Sequence, residues 1–232
     1  MSTVLGIDTS STDLSIALFK DGRPAASVSR FVPNSHAEHI TQAVTMILKL
    51  NNISPEEITH IATTVGPGSF TGLRIGISFV KGFCRGQSIK VVPLSSLHIM
   101  VHQFRAGSGA KVFSAIDARR DEIFWASFSC SKKGLLNRTT PDSLSSIDSL
   151  LDTVAADDII ITDTMGYTRS TVFEPLGEYT NHFPVESFPI HRGFSAAKIA
   201  NNLIDNKDVW INASELQPQY LRLSSAQLKA TG

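Results

Sequence analysis

Ile7-Asp8-Thr9-Ser10-Ser11-Thr12-Asp13-Leu14-Ser15-Ile16-Ala17-Leu18-Phe19 is the stretch on which the fold turns. Apolar residues run up to Asp8, a polar turn follows, and Leu14 to Phe19 resumes the apolar run, so the segment reads as two strands about a short turn. Beside it, Ile116-Asp117-Ala118-Arg119-Arg120-Asp121-Glu122-Ile123-Phe124-Trp125-Ala126-Ser127-Phe128 repeats Ile, Asp, Ala and Phe at one constant offset. A strand, Ile-Asp, turn, strand unit at the start of each half predicts two lobes, 1–105 and 106–232, the second a degenerate copy of the first.

Outward from the first unit, Asp21-Gly22 predicts a hairpin turn into a third strand over Ala26 to Phe31. Ser35 and Glu38 have capping-box spacing, and Ile40, Ala43, Val44, Ile47 and Leu48 recur at helical intervals, so a helix runs from about 36 to 50. Ser54-Pro55 starts a short helix, Ile58 to Val65 is a fourth strand, and Val91 to Leu94 a fifth, with Ser95 opening another helix. In the second half, Leu135 to Ser149 reads mainly as loop, Ser146 to Val154 as a short helix, Asp158 to Asp163 as a buried strand and Phe194 to Ile204 as a helix. Pro218 to Arg222 reads as ordered, with a tail of about eight residues beyond.

Between the fourth strand and the next helix lies Gly66-Pro67-Gly68-Ser69-Phe70-Thr71-Gly72-Leu73-Arg74-Ile75-Gly76. Glycines there permit close backbone approach, and exposed N–H groups at a helix start can receive an anion. The block lacks both the Lys-Ser/Thr ending of a P-loop and the G-x-G-x-x-G spacing of a dinucleotide fingerprint, which favours a tight turn into a close-packing helix over about 72–86.

Composition narrows the function classes. The chain has 232 residues, 42% hydrophobic and 18% charged, and its 21 Lys plus Arg balance 21 Asp plus Glu. That balance argues against unaided gripping of a nucleic-acid backbone, and no apolar run suits a membrane helix. No secretory signal is visible, which predicts a cytoplasmic protein. Cys84 and Cys130 form no CxxC and read as two buried thiols.

The chemistry-bearing residues read mostly as structural. A kinase of this two-lobed kind needs small residues in both phosphate turns and an adjacent glycine pair against adenosine. Here the first turn has hydroxyls but no glycine, the second has Arg119 and Arg120, and no two glycines adjoin after Gly134. Asp8, Thr9, Ser10, Gly68 and Ser69 remain candidates for residual phosphate or anion contact. His98 and His102 (i, i+4) and His36 and His39 (i, i+3) lack a third ligand, so no metal site is expected. Ser69 and Thr71 are not in a G-x-S-x-G elbow and read as caps of the following helix; no catalytic residue is assigned.

Taken together, Ile7 to Ser10, His36 to Glu38, the block 66–76, Lys81-Gly82, Ser95 to Leu97, Ala115 to Arg120 with Glu122, and Pro218 to Arg222 resemble the bacterial TsaB family in the same order. The resemblance implies an α/β, two-lobed actin-like fold, each lobe a mixed sheet flanked by helices. It implies a non-catalytic subunit for N6-threonylcarbamoyladenosine formation in tRNA, supporting the paralogous TsaD together with the ATPase TsaE. ATP and metal would belong to those partners, with no cofactor of its own; TsaD's metal histidines align with Ser96 and Met100 here. RNA would be reached through the complex. Ile40, Val44, Ile47, Gly72, Gly76, Phe79 and Phe83 are the expected partner interface, used for a homodimer when the chain is alone. The competing expectations are an actin-like small-molecule kinase or ATPase and a metal-dependent hydrolase.

Overall fold

A computed structural model of the chain describes residues 2–102, 104, 106–132, 136–165, 170–179, 181–184 and 191–222. The expected tail of the last eight residues lies outside them. The first unit forms β1 (Thr3–Asp8) and β2 (Asp13–Lys20), paired antiparallel with Ile7 opposite Ile16. β3 (Arg23–Phe31) continues the meander as an edge strand that is largely solvent-facing. α1 (His36–Leu50) crosses back to β4 (His60–Gly66), which lies parallel to β1. α2 (Phe70–Phe83) leads on to β5 (Lys90–Ser95), parallel to β4, and to α3 (Ser96–Val101).

The second unit is built the same way. β6 (Lys111–Arg119) and β7 (Glu122–Cys130) pair antiparallel, with Ile116 opposite Phe124. β8 (Leu136–Arg138) and β9 (Ser143–Ser146) both add to β7, and α4 (Ile147–Leu151) follows. β10 (Ile159–Asp163) runs parallel to β6, with β11 (His182–Pro184) beyond it. Two mixed sheets flanked by helices thus match the expected fold class.

Both sheets are apolar on both faces, because alternate side chains of a strand point oppositely. In the first, Leu5, Ile7, Ile16 and Ile61 pack toward α1 and α2, whereas Val4, Ala17, Phe19 and Ala62 pack on the other side. In the second, Val112 and Ile116 face Leu97 and Met100 of α3, while Phe113 and Ala115 face Leu150 of α4.

The lobe boundary expected at 105/106 needs correction. α5 (Arg192–Leu203) covers the second face of the first sheet, where Ala196, Ala197 and Ala200 pack against Val4, Ala17 and Ala62. β12 (Ile211–Asn212) then pairs antiparallel with β5. The first sheet has two apolar faces, α1 and α2 cover only one, and the chain returns to cover the other.

The expected interface is corrected too. Ile40, Val44 and Ile47 are 3%, 2% and 1% exposed and lie in the core beneath α1. The apolar stripe of α1 is its own sheet's cover, so it cannot also meet a partner. Gly72 and Gly76 likewise face inward: a Cβ on Gly72 would stand 2.0 Å from Thr9 O, and one on Gly76 2.3 Å from Thr9 Oγ1. Phe79 and Phe83 remain half-buried, their rings 5.8 Å apart. The outer side of α1 exposes Met46 at 45% and Leu50 at 71%.

Capping differs in detail. Ser35 stands at the N-cap of α1 without a side-chain bond, whereas Glu57 accepts from Ser54 N at 2.8 Å and completes a capping box there.

Candidate functional site: the cleft between the sheets

Strand ends from the two sheets converge on one cleft, and the same device shapes each end. Asp8 closes β1 and accepts from Ser10 N at 2.9 Å; Asp117, near the end of β6, accepts from Arg119 N at 2.5 Å; Asp163 closes β10 and accepts from Met165 N at 2.7 Å. Each carboxylate ties down the N–H two residues on, a turn chemistry at which Asp excels. At the second hairpin, Arg119, Arg120 and Asp121 take φ of 63°, 59° and 59°, three successive left-handed residues that point the two arginines out to solvent.

The first turn is engaged internally. Ser10 Oγ lies 3.0 Å from both Asp8 oxygens, and Thr9 Oγ1 donates to Gly72 O at 2.8 Å. Asp8, Thr9 and Ser10 are 0%, 1% and 0% exposed. Burial raises the Asp8 carboxyl above the ordinary carboxylate range, opposed first by the Arg192 guanidinium and then by the bonds from Ser10. Gly68 backs onto the same turn, where a Cβ would stand 2.6 Å from Ser10 O, and Ser69 N donates to that oxygen at 2.8 Å. Ser69 Oγ accepts from Gly72 N at 3.2 Å and caps α2, as its position predicts. The block 66–76 therefore grips the chain's own first turn.

The segment 219–222 crosses from one sheet to the other. Gln219 N donates to Val65 O at 2.8 Å, and Tyr220 stacks on Phe70 at 4.9 Å while its hydroxyl accepts from Arg74 Nε at 2.9 Å. Arg222 donates to Ala118 O at 2.7 Å and pairs with Glu122. Beneath this strap lies a cleft of about 550 Å³, walled by Pro67, Ser69 and Thr71 on one side and by Arg119 and Arg120 on the other.

Sequence reasoning missed Arg192. It opens α5, pairs with Asp163 in the interior and approaches Met100 Sδ at 3.6 Å. The signal was available: a cation in the first turn of a helix opposes the helix dipole and calls for a nearby carboxylate.

His98 and His102 sit on α3 and at its end, with ring centroids 6.5 Å apart and His98 stacked on Phe128 at 5.6 Å. Burial, with Arg138 and then His102 nearby, lowers His98 to about 4, and burial with Lys198 lowers His102 to about 4. Among the described residues no group of three or more His, Cys, Asp or Glu side chains is placed to hold a metal ion. Among them, too, no helix is long and apolar enough to cross a membrane.

Residues 28–223 match the family model described as "TsaD: tRNA N6-adenosine threonylcarbamoyltransferase". The tRNA threonylcarbamoyladenosine biosynthesis protein TsaB of Escherichia coli (strain K12) is 35% identical over 133 residues, 57% of either chain. The TsaB protein of Bacillus subtilis (strain 168) is 31% identical over 140 residues, 60% of either chain. The matched stretch thus spans about 60% of these relatives' length. A Pseudomonas aeruginosa crystal structure, of an uncharacterized protein with similarity to peptidase YEAZ, superposes with a TM-score of 0.77 at 25% identity, covering 96% of this chain and all of that one. The ethanolamine utilization protein EutJ of Carboxydothermus hydrogenoformans, with a TM-score of 0.50 and 10% identity over 85% of this chain and 88% of its own, shares the fold alone. With most of its length under one family model and TsaB proteins among its relatives, the chain belongs to the family that TsaD and TsaB proteins share.

Proposed function

We propose that the chain is an accessory subunit that pairs with a TsaD-like transferase and supports formation of N6-threonylcarbamoyladenosine in tRNA. The observation that carries this reading is the outer face of the first lobe. Leu50 and Met46 of α1 stand exposed at 71% and 45%, beside a neighbouring helix whose Phe79 and Phe83 are only half covered. Large exposed apolar side chains gathered on adjoining helices suit a helix-to-helix contact with a related fold. The cleft supports the accessory role, because the turn that would need to open to a nucleotide is closed by Thr9, Ser10, Gly68 and Gly72 acting on one another.

In this reading the face of α1 and α2 that meets TsaD also forms a homodimer when the partner is absent. A TsaE-like ATPase joins the pair, tRNA is reached through the assembly, ATP and metal belong to the partners, and the work is done in the cytoplasm. The test is a tRNA modification assay with TsaD, TsaE and the adenylate-forming enzyme, run with and without this chain. Modification that depends on the chain supports the proposal, and equal modification in its absence refutes it. Leu50→Glu should abolish co-purification with TsaD while leaving the fold intact; unchanged co-purification would rule out this face.

A further inference from the structure

The floor of the cleft holds a charged group that the accessory role leaves unexplained. Arg192 is 3% exposed and pairs with Asp163, itself 4% exposed, at the end of β10 in the second sheet. Asp8, wholly buried at the end of β1 in the first sheet, lies within the guanidinium's electrostatic reach. The same Nη2 that meets Asp163 contacts Met100 Sδ of α3 at 3.6 Å. Four elements from both lobes therefore close around one cation.

That cation is not fully satisfied. Arg192 Nη1 is buried without a hydrogen-bond partner among the described residues. So are Ser195 Oγ, one turn along α5 from Arg192, and Ser96 Oγ, one turn before Met100 on α3. A guanidinium drawn into an interior against a helix dipole, with one arm unbonded, is held there by charge rather than by a complete set of bonds. Oxygen donors from two carboxylates with hydroxyls at the margin are a set that hard divalent cations accept.

We propose that this floor is a cation site built from Asp8 and Asp163, with Ser96 and Ser195 at its edge, and that Arg192 fills it with a tethered guanidinium. The chain thereby carries its own counter-cation and holds its two sheets together without a metal. Shortening Arg192 vacates the site and lets a small hard cation enter.

The test uses the purified full chain and Mn²⁺ as probe, read by the loss of the free-ion electron paramagnetic signal and by thermal unfolding. Arg192→Ala should bind one Mn²⁺, and Mn²⁺ at 100-fold over its Kd should raise Tm by about 5–10 °C. The native chain, Arg192→Lys and Arg192→Ala/Asp163→Asn should show neither effect. An Arg192→Ala response no larger than that of the native chain overturns the proposal. If Arg192→Ala alone does not accumulate as folded protein, Arg192→Ala/Asp163→Asn should, because it removes the unpaired charge; failure of the double variant to recover folded protein also overturns it. Neither tRNA nor a partner enters the assay, so its failure would leave the accessory role standing.

Discussion

Gly76→Ala tests whether the glycine block serves the chain's own first turn. A Cβ at Gly76 would stand 2.3 Å from Thr9 Oγ1 but 3.6 Å from Thr9 Cβ, so the conflict is with the hydroxyl alone. That hydroxyl is buried and committed to Gly72 O at 2.8 Å, so it cannot swing away without losing its bond. Overpacking costs about 1–3 kcal/mol and the lost hydrogen bond about 0.5–1.5, while replacing a mid-helix glycine returns about 1 kcal/mol of propensity. The net is a destabilisation of about 2 kcal/mol, or roughly 4–8 °C in Tm for a chain of this size. In a Thr9→Ala background only the ordinary 3.6 Å contact remains, and Gly76→Ala should there stabilise by up to about 1 kcal/mol. The sign reversal corresponds to a coupling of about 3 kcal/mol, far above the few tenths by which independent sites depart from additivity. Urea unfolding of the four chains by circular dichroism reads it directly. If Gly76→Ala shifts the midpoint in the same direction in both backgrounds, the glycine is not there to admit Thr9, and a role facing a partner returns.

The strap and the histidine pair offer separate tests. Tyr220→Ala removes the stack on Phe70 and the acceptor for Arg74, and should lower stability by about 1–3 kcal/mol; urea midpoints check it, and no loss would mean that the strap is not seated. His98 and His102 are held near 4 in the folded chain against an ordinary 6.5, so the unfolded chain takes up protons that the folded one refuses. Their contribution is therefore complete above about pH 6.5 and should be lost as pH falls toward 4, with His102→Gln flattening that slope in urea midpoints measured across the window. Leu50→Glu, on a side chain 71% exposed, should move the midpoint of the isolated chain by no more than about 0.5 kcal/mol, so that a pairing defect cannot be blamed on unfolding.

Much of the architecture was legible because it is written in short-range terms. Alternation marks Val4 to Asp8 and Leu14 to Phe19 as strands, and the spacing of Ile40, Val44 and Ile47 marks a helix, whatever lies across from them. The position of Ser69 predicted the cap it makes on α2. The errors share one cause. An apolar stripe states that something covers it but not whether the cover is the chain's own sheet or another protein, so Ile40, Val44 and Ile47 read equally well as interface and as core. A glycine four residues from another states that something comes close, and here that something is Thr9, more than sixty residues earlier in the chain.

The sequence by itself determined the two strand, Ile-Asp, turn, strand units, the helices between them and the strand-to-helix glycine junction, since each depends on residues within one or two turns of chain. Only the tertiary structure decided that α5 and β12 return to the first sheet, that residues 219–222 strap the cleft, and that Arg192 meets Asp163 beside Asp8. Those pairings depend on where the second sheet leaves the chain end, and on the need of a buried charge for an opposite one. Neither condition has a period that a linear sequence can display.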